Sequence, residues 1–136
     1  PAPGGTGNFT DFSPFDSNPI IGEGTVVFLA NDSRPQGNRQ GLYSVPAAGG
    51  PVRLIANYNT RTGGGQLSLI DQGPRQPFGA ISMDGGKVVF TATAADGNAG
   101  IYTANLDGSA LTLVADRNVR VPSGTLFDVN IWLNPW

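Results

Sequence analysis

The sequence predicts an all-β fold of two four-stranded antiparallel sheets, and three observations predict it. A four-part phrase occurs twice. It first reads Gly24-Thr25-Val26-Val27-Phe28, Gly41-Leu42-Tyr43, Gly49-Gly50 and Val52-Arg53-Leu54-Ile55-Ala56. It returns as Gly86-Lys87-Val88-Val89-Phe90, Gly100-Ile101-Tyr102, Asp107-Gly108 and Leu111-Thr112-Leu113-Val114-Ala115. The apolar residues gather in short runs bounded by Gly, Asp and Asn at hairpin intervals. No useful length of chain carries a 3.6-residue apolar period, so little helix is expected.

Each repeat offers four short strands. In the first they run from Asn18 to Ile21, Thr25 to Ala30, Gly41 to Val45 and Pro51 to Ala56. In the second they run from Phe78 to Met83, Lys87 to Ala92, Gly100 to Asn105 and Leu111 to Asp116. Asp84-Gly85 and Asp107-Gly108 are the sharpest turn signals, because two-residue hairpin turns need positive φ, which Gly adopts cheaply. From Gly41 onward the copies are offset by 59 residues, whereas Phe28 and Phe90 are offset by 62. The difference is a loop between the second and third strands, three residues shorter in the second copy.

A glycine-rich turn punctuates the chain three times, at Pro3-Gly4-Gly5-Thr6, Thr62-Gly63-Gly64-Gly65 and Pro122-Ser123-Gly124-Thr125. It opens each repeat and begins a third that stops at Trp136. The N-terminal stretch therefore belongs to the repeat and is expected to be ordered. Residues 1–136 read as a single repeat domain: 1–60, 61–120 and the start of a third unit over 121–136.

Composition narrows the class of function. Twenty Gly and eleven Pro in 136 residues, with 13% charged, mark a turn-rich chain. A net charge of −2, one Lys and scattered Arg give no attraction for nucleic acid. No apolar run reaches the roughly 18 residues of a membrane span. A start at Pro1 suggests a processed form or a piece of something longer.

A four-stranded meander recurring about every 60 residues is the pattern of propeller blades. The phrase Asp84-Gly85-Gly86-Lys87-Val88-Val89-Phe90, Gly100-Ile101-Tyr102, Leu106-Asp107-Gly108 and Leu111-Thr112-Leu113-Val114-Ala115-Asp116 resembles the Tol-type, WD-like β-propeller repeat. There, such phrases mark the second, third and fourth strands of a blade. The segment Pro3-Gly4-Gly5-Thr6-Gly7-Asn8-Phe9-Thr10-Asp11-Phe12 is similar to tandem-repeat proteins of secreted bacterial type. The resemblance spans nearly the whole chain and implies a scaffold at the cell surface or outside the cell, with no particular task.

Two blades cannot close a ring, and a pair leaves two apolar faces outward. Three arrangements follow: a portion of a longer propeller, a ring of several copies, or an open filament or sandwich with exchanged end strands. The terminal segment bears on the choice. Phe127, Val129, Ile131, Trp132, Leu133 and Trp136 carry more apolar surface than a loose tail holds. One reading makes it the strand that completes a blade with the chain's own N-terminus. The other, preferred here, has it pair with a neighbouring subunit.

The catalytic inventory is thin. Without His or Cys, the familiar nucleophilic triads and the thiolate or imidazole zinc sites are unavailable. The acids are one Glu and nine Asp, mostly in turns. Asp11, Asp16 and Asp71 precede or flank inner-strand positions and could meet at a propeller mouth, as a glycosidase's carboxylates meet across a cleft, but this is the less favoured reading. No enzyme activity and no cofactor are expected. Asp32, and Asp96 with Asn98, offer the oxygens that calcium takes, in corresponding loops of the two repeats. Neither loop has a complete calcium spacing, and a turn role is the simpler reading.

The expected function is structural: self-association with copies of itself through blade faces and end strands, in a ring or filament. The alternative is a carbohydrate-binding module that stacks Tyr58, Trp132 or Trp136 on a surface glycan. Tyr43 and Tyr102 sit inside strands at equivalent positions and are expected in the core. Asn8-Phe9-Thr10 and Asn31-Asp32-Ser33 match the N-glycosylation pattern.

Overall fold

In the computed structural model, which describes residues 1–5, 7–12, 19–35, 40–67 and 81–119, those residues form eleven strands and no helix. The strands are β1 (Phe9–Phe12), β2 (Ile20–Gly22), β3 (Thr25–Asp32), β4 (Gln40–Pro46), β5 (Arg53–Asn57), β6 (Arg61–Thr62), β7 (Gly65–Gln66), β8 (Ile81–Asp84), β9 (Lys87–Thr93), β10 (Ala99–Asn105) and β11 (Thr112–Asp116). Sheet 1 runs β1-β3-β4-β5, with β2 also paired to β3; sheet 2 runs β11-β10-β9-β8. All pairings are antiparallel. The small hairpin β6–β7 stands between the two sheets in sequence.

The all-β, antiparallel expectation holds, and the eight strands predicted for the two repeats are present with shifted ends. The long strands extend further into the loops than hydropathy suggested, because Asn31, Asp32, Thr93 and Gln40 continue the ladders as polar residues. Strand β1 lies in the N-terminal stretch, expected to be ordered as part of the repeat but not to form a strand. It pairs with the end of β3, at Asp32, Asn31 and Ala30, while β2 pairs with its start, at Val27, Val26 and Thr25. Two short segments thus cover one long edge. The expected terminal strand over 121–136 and the start of the strand from Phe78 lie outside the described residues.

The two sheets share their turns in detail. Glu23-Gly24 and Gly85-Gly86 close hairpins between Gly22 and Thr25 and between Asp84 and Lys87. All four residues have left-handed φ, from 50° to 73°, the geometry that matches strand twist. Glu23 bears the strain of this conformation without being glycine. Its carboxylate accepts a hydrogen bond of 2.7 Å from Gly86 N–H, tying one turn to its counterpart on the next sheet. The residue skipped by each outer pairing is also equivalent: Ile55 bulges between Ala56 and Leu54, and Val114 between Ala115 and Leu113.

The Gly-x-Tyr of the repeat has a steric cause. A Cβ on Gly41 would stand 2.6 Å from the Tyr43 hydroxyl oxygen, and one on Gly100 would stand 3.1 Å from the Tyr102 ring. Each tyrosine lies back over the glycine two residues earlier, on the same face of its strand. The ring restores the contact area that glycine gives up.

The main core lies between the sheets. Val27, Leu29, Leu42 and Ile55 of sheet 1 meet Val88, Phe90, Tyr102 and Ala104 of sheet 2, with all eight buried. Phe90 and Tyr102 stack at 5.8 Å between centroids. At about 1.5–3 kcal/mol for each large side chain, this layer is the leading stabilising term. A second, smaller cluster forms on the far face of sheet 1, where Phe28, Ala30 and Tyr43 carry Phe9, Val26, Val45, Val52 and Leu54.

Candidate functional site

Among the described residues, nothing closes over the far face of sheet 1. Phe9, Phe12, Val26, Phe28, Val45 and Val52, with Pro19 at one side, line an open groove of about 350 Å3. Its walls are almost wholly carbon. Phe12 stands 60% exposed at its rim. The aromatic rings support one another: Phe9 meets Phe12 at 5.4 Å and Tyr43 edge-on at 4.9 Å, and Phe28 stacks on Tyr43 at 5.8 Å. Among the described residues, no titratable group lines the groove. The geometry therefore favours apolar side chains over acid–base chemistry.

Phe9 and Phe12 were not singled out in the sequence because their spacing of three contradicts a strand period of two. The pairing register shifts between Phe9 and Asp11. That irregularity brings both rings to one side, so strict alternation hid the signal.

Beneath the groove lies the Tyr43 hydroxyl, buried and without a hydrogen-bond partner among the described residues. Burial pushes its pKa well above the ordinary value, with the nearby Asp32 and Tyr58 adding to the rise. The Asn57 side chain opposes the rise without reaching hydrogen-bonding geometry. Tyr102 is raised too, first by burial, while the Thr62 side chain holds it back. The position corresponding to Thr62 in the first repeat is Pro3, which has no hydroxyl to offer.

Among the described residues, the far face of sheet 2 is open as well. Val89 is 40% exposed and Val114 is 55% exposed. Strand alternation places Ile101 and Thr103 on the same side. The groove and this surface lie on opposite sides of the two-sheet stack.

Asp32 is fully buried at the end of β3. Its carboxylate accepts the Arg34 N–H at 3.0 Å and the Tyr58 hydroxyl at 2.5 Å. Tyr58 was expected as an exposed stacking ring; it is instead 7% exposed, with the Arg34 guanidinium 4.3 Å from its ring centroid. Its hydroxyl is drawn inward by the buried acid, so its face is not free for a sugar. Asp96 is exposed and accepts both the backbone N–H and the side-chain amide of Asn98, at 2.9 and 2.6 Å. That is a local Asx turn. Although Asp96 and Asp32 lie at different repeat positions, their carboxylates back onto equivalent glycines, Gly64 and Gly5.

Among the described residues, no three His, Cys, Asp or Glu side chains gather to hold a metal. Asp11 lies in β1; Asp16 and Asp71 fall outside the described residues. So do Trp132 and Trp136, expected for glycan stacking, and Phe127, Val129, Ile131 and Leu133, expected with them for self-association. No helix among the described residues is long and apolar enough to cross a membrane. Comparison with protein-family models, curated proteins and solved structures finds no match.

Proposed function

We propose that the chain is a non-catalytic structural protein whose two sheets act as blade-like units and associate with further copies of the chain. The observation that carries this reading is the open apolar groove on sheet 1, with Phe12 projecting at its rim. An exposed benzyl group beside a hydrocarbon-lined groove has an unfavourable hydration that a second surface relieves. An extracellular or cell-surface location is part of the proposal and rests on the resemblance to secreted tandem-repeat proteins.

Light scattering on the full chain across a concentration series tests the reading. The expected result is a mass that rises with concentration to a multiple of the monomer. Phe12→Asp is expected to return it to a monomer with an unchanged far-ultraviolet circular dichroism spectrum. A wild-type chain that remains monomeric throughout would sink the proposal.

A further inference from the structure

We infer that copies join head to tail, the far face of sheet 2 in one copy seating in the groove of sheet 1 in the next. The register is the one that joins the two sheets inside a single chain. This inference rests on the self-association reading and specifies its geometry.

The internal joint supplies the template. Its sheet 1 half consists of Val27, Leu29, Leu42 and Ile55, all buried. The repeat offsets of 62 before the loop and 59 after it carry these positions to Val89, Thr91, Ile101 and Val114. Those side chains form the far face of sheet 2, where Val89 and Val114 are exposed. The sheet 2 half of the joint is Val88, Phe90, Tyr102 and Ala104. The same offsets carry it back to Val26, Phe28, Tyr43 and Val45 on the groove side of sheet 1. Each open face is thus a copy of one half of a joint already made, and the two halves point in opposite directions. The open surfaces continue an established interface, and complementarity between unlike faces gives a heterologous contact.

The backbone repeats the same statement independently. Gly108, with φ 83°, approaches the Leu54 carbonyl so closely that a Cβ would overlap it. Its counterpart Gly49 has φ 86° and, among the described residues, nothing within 4 Å of where its Cβ would stand. Both turns are closed by the same bond at 2.9 Å, Gly49 N–H to the Pro46 carbonyl and Gly108 N–H to the Asn105 carbonyl. Gly49 therefore has the shape of a joint residue with its contact side open. Likewise, the Ser44 hydroxyl donates to the Leu106 carbonyl across the internal joint. The corresponding pair between copies is the Thr103 hydroxyl and the Ala47 carbonyl.

The chain has no Cys, so single-cysteine cross-linking tests the register cleanly. Ala47→Cys and Thr103→Cys chains are prepared separately, mixed at a concentration where the wild type associates, and oxidised. The expected product is a mixed 47–103 dimer, with yield in the mixture about tenfold above that of either variant alone. In parallel, Gly49→Ala is expected to weaken association about tenfold or more. Gly24→Ala, which imposes the same left-handed penalty where the counterpart Gly86 has no close neighbour, leaves it within about twofold. Efficient 47–47 or 103–103 dimers in the separate variants would overturn the head-to-tail register while leaving self-association standing. A wild type that stays monomeric, its faces covered by other parts of its own chain, would overturn both.

Discussion

Tyr43 and Tyr58 show how differently two buried phenols can be used. The Tyr58 hydroxyl reaches the Asp32 carboxylate at 2.5 Å, and its ring carries the Arg34 guanidinium. Tyr58→Phe keeps the ring but deprives a buried carboxylate of a donor, at a cost of about 1.5–3 kcal/mol in urea unfolding. The Tyr43 hydroxyl satisfies no acceptor among the described residues. Tyr43→Phe removes a desolvated group without orphaning another, and stability should stay unchanged or rise by about 1 kcal/mol. The phenols also set an alkaline limit. Tyr43 and Tyr102 hold their protons more firmly folded than unfolded, where the ordinary value is 10.0. Their contribution is complete below about pH 10 and is lost as pH rises from there through the raised folded values. Denaturation followed from pH 9 to 12 should show stability falling above 10, with a shallower fall in Tyr43→Phe.

At the scale of elements, the repeat was legible because its determinants are steric and local. Gly-x-Tyr reports a ring lying over its own strand, and Asp84-Gly85 marks a turn with two left-handed residues. Less legible were the features in which one element answers another. The Phe9 to Phe12 strand was hidden by its register shift, and Asp32 looked like a loop ligand because nothing nearby in sequence names Tyr58 as its donor. Glycines with similar φ also differ in what surrounds them. Gly108→Ala must accept left-handed strain and also displace the Leu54 carbonyl, for a loss of about 2–4 kcal/mol. Gly49→Ala meets only the strain in the isolated chain, about 1–2 kcal/mol. Chemical denaturation of dilute samples should separate the two; equal losses would show that the close approach of Gly108 carries no weight.

For the molecule as a whole, two outward apolar faces follow from a two-unit repeat, and that much was readable in advance. Which side chains form them was not. The expectation named the blade faces together with residues 127–136, which lie outside the described residues; among those described, the exposed benzyl group belongs to Phe12, near the opposite end of the sequence. The surface of sheet 2 is also more polar than its internal counterpart, because Thr91 replaces Leu29, while Thr103 keeps the hydroxyl of Ser44. Gly85 stands where Glu23 makes its bond to the Gly86 turn, so that link has no equivalent outside. In the proposed head-to-tail arrangement, these exchanges make the contact between copies weaker than the internal joint.

The segment joining the two sheets adds a tether that the contact between copies lacks. A short covalent link presents its partner at an effective concentration in the millimolar range, however dilute the solution. The internal contact therefore ignores dilution. A contact of the same shape between separate chains obeys mass action and, being weaker per surface, dissolves well before the fold does. In the proposed array, a chain that folds at low concentration and lengthens only when crowded needs no regulator for that behaviour: its own concentration sets the length.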